Sequence, residues 1–284
     1  MSFFIAEVSS NHSQNLNRAL KFIDIASDIG CDAVKFQLFK IEKLFSQEVL
    51  ESSKEHLARK AWELPLDFLP HLKKRSGEKG IQLGFSPFYI EAVDELEPFV
   101  DFFKIASYEL LWDDLLIKCA YTKKPVIIST GMANMSEIIH AVKILRSHGC
   151  EPKVLHCTSS YPTKYFEANL SAIETIRKNT GCLVGWSDHT VNKAVISRAI
   201  HRWNADVIEF HIDIEGDGEE FNSGHCWLPN DMKKLINEVS EGLSADGKGV
   251  KEPIDAEIDD RLWRTDPSDG LRPFKSIRDK LRKK

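Results

Sequence analysis

Two histidines are the residues whose placement first indicates chemistry. His189 follows the apolar run at residues 182–186, and His211 follows the run at residues 207–210. In a barrel of alternating strands and helices the C-terminal ends of the strands share one mouth, so imidazoles from neighbouring strand ends can bind one metal ion. Either histidine alone is more often an ordinary core or rim residue with hydrogen-bond partners. The pair predicts a metal site because of the polar residues that accompany it.

Polar side chains also close the other predicted strands. In chain order they are Glu7, Lys35, Gln37, Ser86, Lys104, Ser107, Glu109, Ser129, Tyr161, Ser187 and Glu209. Singly, a lysine at such a position can extend its charge to solvent and a serine can cap the next helix. Together they predict a polar rim at one end of the fold, in which Glu7 and Glu209 are available for metal binding or proton transfer in catalysis.

Lys104 predicts the charge of the ligand. It lies in an otherwise apolar segment, where a buried ammonium is costly to desolvate unless an anion lies beside it. The hydroxyls of Ser107, Ser129 and Ser187 would add donors that suit phosphate, or phosphate together with a carboxylate. The sequence therefore predicts a small anionic ligand.

The rim requires eight short strands, each followed by a helix. The predicted strands are residues 3–8, 33–37, 82–86, 102–107, 126–130, 153–159, 182–188 and 207–211. They are apolar on both faces, as strands covered by helices must be, and residues 16–29 form the clearest helix, with Gly30 as its end signal. Eight even units without a G-x-G-x-x-G turn favour an α/β fold of the (β/α)8 TIM barrel type over an open doubly wound sheet.

Length and charge narrow the class of protein. The 284 residues have a formal net charge of −5, and we expect residues 1–244 to form the barrel and residues 245–284 to form a short C-terminal tail. Because basic and acidic residues are interspersed, neither nucleic acid nor membrane is an expected partner. No apolar run approaches the roughly twenty residues of a membrane span, so we expect a cytoplasmic protein. The six cysteines lack C-x-x-C spacing and are expected to be free thiols.

With these residues assembled, the sequence resembles the sialic acid synthase family, which joins phosphoenolpyruvate to an N-acylated hexosamine to give a nonulosonic acid and phosphate. The resemblance spans nearly the whole barrel. Its motifs are Ile5-Ala6-Glu7 with Asn11-His12, Ala33-Val34-Lys35-Phe36-Gln37, Phe85-Ser86-Pro87-Phe88, Lys104-Ile105-Ala106-Ser107, Ser129-Thr130-Gly131-Met132, His156-Cys157-Thr158-Ser159-Ser160-Tyr161-Pro162 and Ser187-Asp188-His189-Thr190. The resemblance implies a homodimeric transferase of surface polysaccharide or glycan biosynthesis.

The resemblance also implies a role for each rim residue. The implied roles are phosphoenolpyruvate binding by Lys104, Ser107, Ser129, Ser187 and Ser86, the last in place of a family threonine; catalysis by Glu7 and Lys35; acceptor-sugar binding by Gln37, Glu109 and Tyr161; and metal binding by His189 and His211. The metal would be Mn²⁺, with Mg²⁺ and Co²⁺ as alternatives. It would polarise the open-chain sugar aldehyde while C3 of phosphoenolpyruvate attacks it.

Three departures from the family pattern affect the acceptor side. The Asn-His turn continues as Ser13-Gln14, which is a small change. The family's Pro-Gly-Pro-Asp acceptor loop is replaced by residues 217–227, so we expect an acceptor other than plain N-acetylmannosamine, contacted by Asn222 or His225. The family usually adds a C-terminal antifreeze-like domain that contributes an arginine to the partner subunit's site. The sequence leaves no room for that domain, and we expect a short form without this lid.

Two other functions remain open at this point. A barrel that binds phosphate and metal but has lost catalysis would serve as a regulatory or assembly subunit, although such a protein has no reason to retain buried charges that cost stability. A synthase of the 3-deoxy-octulosonate-8-phosphate type would take an aldose phosphate. The absence of an extra basic pocket after strands two and three would count against that alternative.

Overall fold

Eight parallel strands close into a barrel in a computed structural model that describes residues 2–282. The strands are β1 (Phe3–Glu7), β2 (Ala33–Leu38), β3 (Gln82–Pro87), β4 (Phe102–Ile105), β5 (Val126–Ser129), β6 (Lys153–His156), β7 (Val184–Asp188) and β8 (Val207–Ile212). Each pairs with the next in chain order, and β8 returns to pair with β1, which places Glu7 opposite His211. The prediction of a (β/α)8 TIM barrel is confirmed.

The structure also contains α-helices, which lie in the connections between strands and in the C-terminal segment. They are α1 (Leu16–Asp28), α2 (Ile41–Leu44), α3 (Gln47–Ser52), α4 (Lys54–Ala58), α5 (Leu69–Lys79), α6 (Ile90–Leu96), α7 (Asp113–Tyr121), α8 (Met135–Ser147), α9 (Ala172–Thr180), α10 (Lys193–Trp203), α11 (Glu219–Asn222), α12 (Pro229–Ala245), α13 (Ile258–Leu262) and α14 (Lys275–Leu281). Helix α1 begins after Asn15, whose side chain accepts a hydrogen bond from the backbone N–H of Arg18. It ends one residue before the predicted boundary, with Ile29 as the C-cap.

The apolar core and the polar rim share one face of the strands. Residues from six strands meet in a buried apolar cluster: Ile5, Ala33, Phe102, Ile127, Leu155 and Val207. Side chains two positions apart in a strand point to the same side of a sheet. In five of these strands the residue two positions after the apolar one is polar or charged: Glu7, Lys35, Lys104, Ser129 and Glu209. The polar groups therefore lie one layer above an apolar floor, at the C-terminal ends of the strands.

Three predicted strands were too long by two or three residues, and β1 and β5 were each predicted one residue too long. β4 ends at Ile105 and β6 ends at His156, whereas the sequence predicted ends at residues 107 and 159. The chain turns away at these points because Ser107 begins a 3₁₀ turn and the segment after His156 carries the loop to Tyr161. β7 begins at Val184, two residues later than predicted. The extra residues belong to loops at the mouth or the base of the barrel.

The chain divides into two compact units, Met1–Ser240 and Glu241–Lys284. The second unit has its own internal contacts: Asp266 accepts a hydrogen bond from the backbone N–H of Lys275, and Arg278 forms an ion pair with Asp269. None of the helices within residues 2–282 is long and apolar enough to cross a membrane. All six cysteines are buried free thiols, as expected.

Candidate active site

A cavity of about 440 Å³ opens at the C-terminal ends of the strands. Most of the predicted site residues line it: Glu7, Lys35, Gln37, Ser86, Lys104, Ser107, Ser129, Tyr161, Ser187, His189, Glu209, His211 and His225. Glu109 and Asn222 do not line it. The amide of Asn222 instead donates to the carbonyl of Asp217, within its own loop. The structure thus brings together the residues on strand ends and separates two of those predicted from loops.

Lys35 forms the centre of a buried hydrogen-bonded group. Its ammonium contacts the carboxylate of Glu7 and donates to Oγ of Ser86 at 3.0 Å. The other oxygen of Glu7 accepts from the amide of Gln37 and from the backbone N–H of Ser9, both at 2.9 Å. Burial alone would lower the pKa of Lys35, but the carboxylates around it, chiefly Glu7 and Glu209, together raise the pKa above its ordinary value. Lys35 is therefore a charged donor at the base of the cavity.

The buried charge of Lys104 is less well balanced by nearby carboxylates than that of Lys35. Only 2% of the residue is exposed, and its ammonium donates to Oγ of Ser129 at 2.6 Å and to the carbonyl of Ile105 at 3.0 Å. Among the described residues its ion-pair partner is Glu209, with Oε1 3.9 Å away. Burial lowers the pKa of Lys104, and Glu209 offsets this only in part. Such an ammonium gains a strong partner when an anion enters the cavity.

Glu209 lies between the two lysines. Its Oε1 accepts a hydrogen bond from Oγ of Ser187 at 3.1 Å, and its Oε2 lies 3.9 Å from Nζ of Lys35. Burial raises the pKa of this carboxyl, but Lys104 and Lys35 together lower it below its ordinary value. Oε2 is buried and accepts no hydrogen bond from residues 2–282. Glu209 is thus an ionised carboxylate with one oxygen available to a ligand or water.

The two histidines present the nitrogen that a metal requires. Burial lowers the pKa of His189 to about 3, so its ring is neutral, and its Nδ1 lies 2.9 Å from the carbonyl of Thr158. A carbonyl only accepts, so Nδ1 carries the proton and Nε2 keeps its lone pair. Nδ1 of His211 lies 2.9 Å from a carboxylate oxygen of Glu220, so this nitrogen also carries a proton. Burial alone would lower the pKa of His211, but contacts with carboxylates, chiefly Glu220, raise it above its ordinary value. The ring centroids of the two histidines lie 5.5 Å apart, and their binding of one metal ion stays a prediction.

Tyr161 packs against the histidines at the mouth of the cavity. Its ring centroid is 4.2 Å from that of His189 and 5.2 Å from that of His225. Nδ1 of His225 is buried without a hydrogen-bond partner in the described chain. These rings form one wall of the cavity, beside the predicted metal site.

The loop after β8 is fixed at both ends. Asp213 is fully buried, and its Oδ2 accepts the backbone N–H groups of Gly216, Asp217 and Gly218 at 3.0–3.2 Å. At the other end Cys226 and Trp227 form a short strand, β9 (Cys226–Trp227), which pairs with β8. These anchors turn the intervening segment towards the cavity.

Asp188 supports the same loop from β7. It accepts hydrogen bonds from the indole N–H groups of Trp186 and Trp227, both at 2.9 Å, and from the hydroxyl of Thr190. Since donors surround this carboxylate, its role is structural although it lies between Ser187 and His189.

Sequence reasoning missed several residues of the cavity wall. They are Ser9, Arg59, Trp62, Phe88, Tyr108, Cys157, Glu219, Glu220 and Ser223. Arg59 and Trp62 come from the long segment after β2, and the Arg59 guanidinium lies 5.3 Å from the Trp62 ring. A signal was present in the acidic pair Glu219-Glu220 shortly after His211. The other missed residues could not be identified because their positions depend on the way in which long loops fold over the barrel mouth.

Glu109 is half-buried in the 3₁₀ turn after β4 and does not line the cavity. Burial raises its pKa to about 7, and its Oε2 has no hydrogen-bond partner within residues 2–282. Its predicted contact with the acceptor stays a prediction.

Comparison with known proteins connects this site to a family. A model of the NeuB family matches residues 22–251. The chain is 33% identical over 270 residues to N,N'-diacetyllegionaminic acid synthase of Campylobacter jejuni, covering 90% of this chain and 80% of that protein. It is 32% identical over 263 residues to pseudaminic acid synthase of the same species, covering 87% and 75%.

A solved structure agrees with these relatives. The crystal structure of an N-acetylneuraminic acid synthetase from Leptospira borgpetersenii, in complex with citrate, has a TM-score of 0.81 to this fold. The two chains are 31% identical, and the match covers 100% of this chain and 93% of that one. The family match, the synthase relatives and the barrel agree, and the chain belongs to the NeuB family.

Proposed function

We propose that this chain condenses phosphoenolpyruvate with an N-acylated hexosamine to give a nonulosonic acid and phosphate, for surface polysaccharide or glycan biosynthesis. Its relatives are synthases of legionaminic, pseudaminic and neuraminic acids. The single observation that carries the proposal is Lys104, a buried ammonium whose carboxylate partner is 3.9 Å away, at the mouth of a barrel that also holds a histidine pair. This arrangement suits an anionic substrate beside residues that would hold a metal ion.

The phosphate of phosphoenolpyruvate would bind between β4 and β5. Lys104 and Ser129 lie at these strand ends, and Oγ of Ser107 accepts the backbone N–H of Gly131 at 3.0 Å. A Cβ at Gly131 would lie 2.0 Å from Oγ of Ser159 and 2.9 Å from Oγ of Ser107, so a larger residue here would displace these hydroxyls. The Ser159 hydroxyl is buried without a partner in the described chain, and we propose that it joins the phosphate contacts.

The metal would be held by His189 and His211, and we propose Mn²⁺, with Mg²⁺ and Co²⁺ as alternatives. When bound, such an ion supplies Lewis-acid polarisation of the sugar aldehyde. Nitrogen ligands that are neutral at physiological pH, as His189 is, suit a first-row divalent ion.

The lysines and glutamates would act in the proton transfers of the reaction. C3 of phosphoenolpyruvate forms a bond to the aldehyde carbon, and Lys35, paired with Glu7, is placed to donate a proton to the developing alkoxide. Water then adds to C2, and Oε2 of Glu209 is placed to accept its proton. Phosphate then leaves with the electron pair of the C2–O bond, while the C2 hydroxyl becomes the carbonyl of the product and its proton passes to the departing phosphate.

The alternatives are less well supported. A barrel without catalysis would not need the buried Lys35, Lys104 and Glu209, which are costly to desolvate. An aldose phosphate acceptor would need several cations on the acceptor side, where the described loops present Arg59 beside Glu219 and Glu220. We also propose a cytoplasmic homodimer, in keeping with small-molecule substrates.

The test is a phosphate-release assay. Phosphoenolpyruvate and Mn²⁺ would be supplied with a panel of N-acyl and diamino hexoses, together with N-acetylmannosamine 6-phosphate and an aldose phosphate. We expect release with one N-acyl hexosamine and identification of the nonulosonic acid by mass spectrometry. Release with only the aldose phosphate, or with no acceptor in the panel, would contradict the proposal.

A further inference from the structure

A carboxylate from the atypical loop joins two imidazoles. Glu220 lies on α11, and its Oε2 is 2.9 Å from Nδ1 of His211 and 3.4 Å from Nε2 of His225. Its Oε1 accepts hydrogen bonds from the backbone N–H of Ser10 at 3.2 Å and from the hydroxyl of Ser10 at 2.9 Å. Four polar groups from three parts of the chain therefore surround this carboxylate.

The contact fixes how His211 can act. Because the carboxylate oxygen accepts, the proton lies on Nδ1 of His211, and the lone pair on Nε2 is available to a metal. His189 reaches the same state through the carbonyl of Thr158. Metal-binding histidines commonly have an outer carboxylate or carbonyl partner of this kind, which sets the tautomer and the ring orientation.

We propose that Glu220 is a positioning residue that holds His211 ready to bind the metal. The inference rests on the proposed function, which assigns His189 and His211 as the metal ligands. Since Glu220 also holds His225, the loop that faces the acceptor is linked to the metal side of the site through one carboxylate. A change in this loop would therefore affect metal affinity as well as acceptor choice.

Direct ligation by the loop is the competing arrangement. Ligand atoms of His211, Glu220, His225 and Cys226 lie within 4.8 Å of one another. However, Oε2 of Glu220 itself lies among the other three, at 2.9, 3.4 and 3.8 Å. An ion at that point would have to displace it. The positioning role requires no such movement.

The test is Mn²⁺ affinity, measured by the electron paramagnetic resonance signal of the free ion. We expect Glu220→Gln to weaken binding by about 10–100-fold, and Glu220→Asp, which keeps the charge, to fall between this variant and wild type. Glu219→Gln is the matched control, because it removes the same charge from the neighbouring position. Ser10→Ala is a second control, because it removes only the hydroxyl that donates to Oε1 of Glu220. We expect the Mn²⁺ affinity of both controls to stay within about threefold of wild type. Circular dichroism would check that each variant is folded.

A spectroscopic measurement separates positioning from loop packing. In wild type, ¹⁵N NMR of the histidines should show His211 protonated at Nδ1, and Glu220→Gln should shift this signal. An unchanged His211 signal with affinity within about twofold of wild type would overturn the inference. An equal loss of Mn²⁺ affinity in Ser10→Ala would also overturn it. Wild-type Mn²⁺ affinity in His189→Ala would overturn it as well, because the ion would then bind in the cluster of His211, Glu220, His225 and Cys226. Failure of the wild-type protein to bind Mn²⁺, Co²⁺ or Mg²⁺ would instead refute the metal part of the proposed function and this inference with it.

Discussion

The cavity has two sides that are built differently. One side, which we call the strand side, consists of Lys35, Lys104, Ser129 and Glu209, each buried within a barrel strand. The other, which we call the loop side, consists of residues from long connections, such as Arg59 after β2 and the segment 217–225 after β8. The strand side is set by hydrogen-bond register and an apolar floor. The loop side is set by contacts between connections that are distant in sequence.

This difference separates the two substrates. A rigid, buried strand side suits a constant substrate, and we assign phosphoenolpyruvate to it. A loop side that departs from the family pattern suits the substrate that varies among relatives, whose products are legionaminic, pseudaminic and neuraminic acids. Variants on the strand side should therefore affect phosphoenolpyruvate, and variants on the loop side should affect the acceptor.

The largest effect is expected at the proposed metal site, which lies between the two sides. His211→Ala should lose Mn²⁺ binding and lower turnover by more than about a hundredfold, because the ion loses one of two protein ligands. A chelator should inactivate the wild-type protein, and Mn²⁺ should restore it. Metal content and phosphate release are the measurements, with the exposed His140→Ala as control. Full activity in chelator would remove the metal from the reaction.

The next effect concerns the strand side alone. Lys104→Ala should weaken phosphoenolpyruvate binding by about 2–4 kcal/mol in calorimetry, because it removes the buried cation that faces the anion. Lys118→Ala, which removes a surface lysine paired with Asp94, is the control. Unchanged affinity in a folded Lys104→Ala protein would place the anion elsewhere.

The pKa of Lys104 predicts the direction in which phosphoenolpyruvate affinity changes with pH. Because burial lowers this pKa, the ammonium loses its proton at a lower pH than an ordinary lysine. Phosphoenolpyruvate binds the protonated form, so affinity should fall as the pH rises through the lowered pKa, and binding at alkaline pH should take up a proton. Calorimetry in buffers of different ionisation enthalpy would detect that uptake. Its absence in wild type, or its persistence in Lys104→Ala, would contradict this account.

On the loop side, His225→Ala should change acceptor choice. We expect the KM for the preferred acceptor to rise about tenfold, since a site that hydrogen-bonds sugar hydroxyls discriminates strongly between acceptors. The KM for phosphoenolpyruvate should change less than about twofold. If N-acetylmannosamine is strongly preferred and His225→Ala matches wild type, the altered loop is only a structural variant.

The smallest effect is expected at Arg59, near the mouth. Arg59→Ala should raise the acceptor KM by about threefold if the acceptor is neutral, because it removes one rim contact that is partly exposed. A much larger rise, confined to a phosphorylated acceptor, would identify that acceptor class. Arg75→Ala, which removes a surface guanidinium paired with Asp24, is the control.

The sequence alone determined the barrel, the strand side and the family. Strand-end residues can be read from sequence because the period of two in a strand places Lys35 two residues after Ala33, on the face that carries the core. Each position therefore followed from a local pattern. Of the residues predicted from loops, Tyr161 and His225 reach the cavity wall, and Glu109 and Asn222 do not.

Only the tertiary structure decided how the loops meet above the strands. Glu220 reaches His211 because Asp213 binds three backbone N–H groups at the start of the loop and β9 pairs with β8 at its end. Arg59 reaches the same cavity from a segment more than 150 residues away in sequence. Loop positions depend on such distant contacts and have no repeating local pattern, so neither placement could be derived from the residues alone.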